Sequence, residues 1–128
     1  MDANKNLEEA IKKICSVKLK LAGQISFYTR RLIMERSPEG IAELLEKRDT
    51  LINSLESYDK KINNYFNLQG KALNYPEKFR KEYSGIILSI LHNNDQIYRR
   101  QKKLKDELAK KLAEPVRGRV AAKYLAAP

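Results

Sequence analysis

SPEGIAELLEKRDTLINSLESYDKKINNYF, residues 37–66, is the stretch that decides the fold. Ser37 suits an N-cap, where its hydroxyl oxygen can accept from one of the free N–H groups of a helix's first turn. Pro38 follows at the first helical position, where the missing N–H has no intrahelical partner to lose. Glu39 adds negative charge at the positive end of the helix dipole. Ile41, Leu44, Arg48, Leu51, Leu55, Tyr58, Ile62 and Tyr65 then recur in steps of three and four, and Leu45, Ile52 and Phe66 widen the stripe. That pattern is one face of an α-helix, broader than a bare two-stranded coiled-coil seam. It requires neighbouring helices to cover it.

The flanking sequence supplies them. Leu7, Ile11, Ile14, Lys18, Leu21, Ile25, Tyr28 and Leu32 predict a first helix from about Asn4 to about Glu35. Lys18 alone interrupts its apolar series, and its methylene stem can pack while the ammonium reaches water. Gly23 falls mid-helix, a position that costs about 1 kcal/mol relative to alanine. The short link at Arg36 and Ser37 predicts an antiparallel hairpin. A second break falls in LQGKALNYP, residues 68–76, where Gly70 and Pro76 interrupt the helical pattern. A third helix then runs from Pro76 to about Glu114. Its seam is Phe79, Tyr83, Ile87, Ile90, Asn94, Ile97, Gln101, Leu104 and Leu108, with Ile86, Leu91 and Leu112 beside it. Asn94 and Gln101 read either as a polar layer that sets register or as part of an uncovered groove. Pro115 is expected to end this helix. Val116, Val120, Tyr124 and Leu125 beyond it keep helical spacing.

The expected fold is therefore all-α: an elongated antiparallel bundle of three long helices over residues 1–114, with a short C-terminal helix or tail over 115–128. With 42% hydrophobic residues but only five glycines and four prolines, helix formers dominate, and no segment alternates like a strand. The single cysteine rules out an internal disulfide framework. No apolar run reaches the roughly 18 residues of a membrane span, and the N-terminal residues lack the apolar core of a secretory signal. A cytoplasmic location is the expectation.

Net charge is +10, distributed as +4 over residues 1–36, −1 over 37–75 and +7 over 76–128. The basic third contains Arg99, Arg100, Lys102, Lys103, Lys105, Lys110, Lys111, Arg117 and Arg119. Such charge suits phosphate or another acidic partner, but a solvated helix face carries it equally well. Tyr98 and Tyr124 are the aromatics near it, and no helix-turn-helix or comparable reading motif is present. Non-specific nucleic-acid binding is one alternative function; specific recognition is not expected. A structural coiled-coil interaction protein is another.

Catalytic chemistry finds few residues. His92 is the single histidine, which leaves one chain without a histidine metal cluster, and Cys15 has no Cys or His near it in sequence. No phosphate-binding glycine loop, paired-cysteine zinc pattern or nucleophile elbow occurs. EKRDTLINSLESYDKKI, residues 46–62, has some likeness to a helix of the all-helical chorismate mutases, with Arg48 as the residue that would face an anionic substrate. Arg48 within an apolar stripe is also ordinary in a helical bundle. No enzymatic activity, cofactor or metal is expected.

The segment order resembles flagellar export chaperones of the FlgN/FliT kind. The resemblance is carried by LLEKRDTLINSLESYDKKI, residues 44–62, and by RGRVAAKYL, residues 117–125, and extends over most of the chain. It implies a cytoplasmic chaperone that holds hook-associated or filament-cap subunits before type III export and prevents their premature assembly. The partners it implies are those export substrates and the export gate, with Tyr124 matching a tail tyrosine used for docking at the gate. The strong basic charge departs from the family pattern. Helix-in-groove binding would need no chemistry, only an apolar stripe. The candidate partner-binding residues are Ile97, Leu104, Leu108, Val116, Val120, Tyr124 and Leu125, and a homodimer is an open alternative to a monomer.

Overall fold

A computed structural model of the chain describes the backbone of residues 2–126 and the side chains of residues 5–113. Three helices account for it: α1 (Asp2–Met34), α2 (Pro38–Leu68) and α3 (Glu77–Ala126). No strand occurs among the described residues.

The turn between α1 and α2 follows the chemistry of its residues. Ser37 is the N-cap of α2 in an extended conformation, and its Oγ accepts from the Gly40 N–H at 3.0 Å. The Glu35 carboxylate accepts from the Arg36 and Ser37 N–H groups, each at 3.2 Å, and from the Ser37 hydroxyl at 3.1 Å. These bonds, the Ser37 N–H and hydroxyl foremost, hold the Glu35 carboxyl below its ordinary range. Gly40 leaves room for this group, since a Cβ there would meet the Glu35 carboxyl carbon and the Ser37 Oγ at 2.6 Å.

At its other end α2 stops in a glycine cap. Gly70 has φ +63°, the left-handed conformation that glycine adopts without a Cβ penalty. The Gly70 N–H reaches the Asn67 carbonyl at 3.1 Å and the Lys71 N–H reaches that of Phe66 at 3.0 Å, the paired bonds of a Schellman motif. The link then runs to Pro76, whose carbonyl accepts from Arg80 at 3.0 Å in the first turn of α3.

Packing contacts divide the chain into two units, Met1–Asn94 and Asp95–Pro128. The first contains α1, α2 and the beginning of α3 around a shared core. Ile25, Leu55 and Ile90, one from each helix, form its centre, and Leu21, Leu51, Ile52, Ile86 and Ile87 pack against them. Cys15, Ala22, Leu32, Leu44, Ile62, Phe66 and Phe79 are also buried. Thr29 is fully buried and donates its hydroxyl to the Ile25 carbonyl at 2.7 Å, so the polar group is satisfied within its own helix. One detail differs from the stripe read in sequence. Phe66 is buried while Tyr65 is 59% exposed, because the step from Ile62 inward is four residues rather than three.

The second unit consists of the remainder of α3. Pro115 does not end the helix as the sequence suggests: the backbone of α3 continues through it to Ala126. Proline removes one N–H and crowds the carbonyl four residues earlier, which weakens one turn without abolishing the bonds on either side.

Candidate docking surfaces

The sequence-predicted partner-binding residues fall on α3. Ile97 is half-buried, whereas Leu104 is 53% and Leu108 58% exposed. Leu112, four residues further, is 61% exposed, so three leucines continue along one helical face without cover. The side chains of Val116, Val120, Tyr124 and Leu125 lie outside the described residues; their backbone belongs to α3. Two shallow depressions of mixed charge lie on the same helix, one bordered by Arg99, Lys103, Asp106, Glu107 and Lys110 and another by Tyr98, Gln101, Lys105 and Asp106. Arg99 is held by Asp95 at 3.1 Å, an exposed i,i+4 pair. Gln101 is exposed and contributes no buried polar layer.

Asn94 does have a buried-side role. Its Oδ1 accepts from the Arg48 Nη1 at 2.6 Å, joining α2 to α3. The polar position in the third stripe is therefore the partner of the polar position in the second. The Arg48 Nε is buried without a hydrogen-bond partner.

A second polar centre surrounds Lys18. Its Nζ lies 2.9 Å from Asp59 Oδ1 on α2 and donates to the Tyr75 hydroxyl at 3.4 Å. The rings of Tyr75 and Tyr83 face the ammonium, with centroids 4.8 and 4.9 Å away. Tyr75, Phe79 and Tyr83 form a run of ring contacts at the start of α3, which closes this end of the unit. Lys18 is 8% exposed, so its ammonium does not simply escape to water as its sequence position suggests. Burial alone would lower its pKa, but the bond to Asp59 and the charges around it outweigh burial and raise it. Burial raises the Tyr83 pKa, against the opposing charge of Lys18. Burial also raises the Cys15 thiol, which keeps it protonated at neutral pH and unlike an activated nucleophile.

Sequence reading missed the groove between α1 and α2. It has a volume of about 690 Å³ and is walled by Leu19, Phe27, Tyr28 and Leu51, with Gly23 on its floor and Lys20 and Lys47 at its rim. Phe27 is 46% exposed there, edge-on to Tyr28 and under the Arg31 guanidinium at 5.6 Å. The signal in the sequence was Gly23 set between Leu19 and Phe27 at four-residue spacing.

Among the described residues no group of three or more His, Cys, Asp or Glu side chains is placed to hold a metal ion. No described helix is long and apolar enough to cross a membrane. Compared with family models, curated proteins and solved structures, the chain matches none.

Proposed function

We propose that this protein is a non-catalytic helical docking chaperone that covers an amphipathic helix of a partner until the partner assembles. The observation that carries the reading is the uncovered row Leu104, Leu108 and Leu112 on the basic part of α3. Three half-exposed leucines at four-residue spacing provide the anchors of helix-in-groove or helix-on-helix binding. The resemblance of residues 44–62 and 117–125 to flagellar export chaperones directs the proposal to hook-associated and filament-cap subunits, held in the cytoplasm before export. Tyr124 is assigned to the export gate on the same basis.

The reading includes an antiparallel hairpin of α1 and α2. Its support is the order of their pairings: Lys18 with Asp59, Ile25 with Leu55, and Tyr28 beside Lys47.

The test is calorimetric titration with purified C-terminal segments of hook-associated and filament-cap proteins. Binding that weakens at least about tenfold in Leu104→Ala/Leu108→Ala supports the proposal. Absence of binding to every such segment, or capture of RNA alone from a flagellated cell, overturns it. RNA binding through the basic residues would be recognised by a steep fall with salt.

A further inference from the structure

We infer that the α1–α2 groove at Gly23 is a second docking site, built for one acidic amphipathic helix from a protein other than this chain. Glycine mid-helix is unfavourable, and here the chain's own packing does not require it. A Cβ built at Gly23 would meet nothing within 4 Å. The residue instead forms a notch between Leu19 and Phe27, which stand one turn to either side on the same face. Across the notch lies Leu51 of α2. From Leu19 to Phe27 the apolar floor is about 12 Å long, room for roughly two turns of an incoming helix. A large apolar side chain entering the notch would cover Phe27, which is 46% exposed.

Charge defines the flanks of that helix. Lys20 and Lys47 line the groove, no acidic residue does, and Arg31 sits over the Phe27 ring. Lys47 is bonded to Glu43 at 3.0 Å, an exposed pair that water screens and an incoming carboxylate can compete for. On α1 itself, residues 10–34 contain six basic and no acidic side chains. Glutamate or aspartate on the α1 side of the occupant's apolar stripe would therefore meet positive charge, while on the α2 side Lys47 is already paired with Glu43.

The same charges argue against the α3 leucine row of a second copy as the occupant. The uncovered leucines of α3 lie among seven basic and three acidic residues over 95–113, which would bring like charge to the groove. α2 is the helix with an acidic excess, but Leu44, Leu55, Ile62 and Phe66 of its apolar face are already buried. The groove shares no residue with the α3 leucine row, and the inference does not depend on it.

The experiment uses the full chain and two synthetic four-turn helical peptides with one shared leucine stripe, flanked in one by glutamate and in the other by lysine. Fluorescence anisotropy should show the glutamate peptide binding at least about tenfold more tightly than the lysine peptide. Gly23→Leu, which fills the notch and improves helix propensity, should weaken that binding by a similar factor while the circular dichroism melt stays cooperative. Chemical-shift changes should centre on Gly23, Phe27 and Leu51. No binding of the glutamate peptide, equal binding of both peptides, or Gly23→Leu binding as well as wild type overturns the inference. So does a homodimer in light scattering that Gly23→Leu dissociates, because a second copy would then be the occupant.

Discussion

The Lys18 ammonium on α1 and the Asp59 carboxylate on α2 meet at 2.9 Å, under the rings of Tyr75 and Tyr83. This ion pair joins two helices and the start of the third at one point. Its two members are unequal: the Lys18 side chain is 10% exposed and that of Asp59 37%. Removing each partner therefore has a different consequence. Asp59→Ala leaves a nearly buried cation with only a tyrosine hydroxyl and two rings, a loss of about 1–3 kcal/mol after allowing for solvent at the exposed carboxylate. Lys18→Met removes the buried charge and keeps most of the stem, so it should cost less. Urea denaturation of both variants checks the order, and an Asp59→Ala protein as stable as Lys18→Met would contradict it.

Alkaline pH should weaken the same centre. The folded-state pKa of Lys18 is raised, so its contribution is complete below its unfolded value near 10.4 and is lost as pH rises through the folded value. Tyr83 is also raised, chiefly by burial; the fold favours its protonated form and loses that preference over a similar range. Thermal melts should be flat with respect to these two groups near neutrality and fall above about pH 10. Tyr83→Phe should decline less steeply there, since one of the titrations has been removed.

Two glycines should respond in opposite directions to alanine. Gly23 is helical with open space at its Cβ position, so Gly23→Ala should stabilise the protein by about 0.5–1 kcal/mol. Gly70 has equal space but φ +63°, and alanine there should destabilise by about 1–2 kcal/mol through backbone strain. Melting temperatures that shift the same way in both variants would refute the distinction.

At the first turn, Ser37→Ala removes the acceptor of the Gly40 N–H and a donor to Glu35, and should cost about 1 kcal/mol. Its Glu35 carboxyl should also titrate closer to the ordinary range, measured by carbon-detected NMR. In the wild type the depressed Glu35 pKa means that the stability it adds is present above its unfolded value and disappears as pH falls through the folded one. An unchanged Glu35 titration in Ser37→Ala would show that the cap is not its cause.

The three long helices and the two breaks between them were legible in the sequence because their signals are local. Ser37 and Pro38 specify a helix start, Gly70 a helix stop, and the three- and four-residue steps between them an apolar face. Pro115 lies inside α3 because a proline weakens a helix locally, whereas continuation depends on the turns to either side. Periodicity carried the α3 stripe from Phe79 to Leu108 in one run, with Asn94 and Gln101 as its polar positions. Only the tertiary structure separated buried Phe79 and Ile90 from exposed Leu104 and Leu108, because burial requires a neighbour and a stripe records only the capacity for one. For the same reason Lys18 acquired Asp59, Tyr75 and Tyr83, and Gly23 became the floor of a groove, only when distant parts of the chain came together.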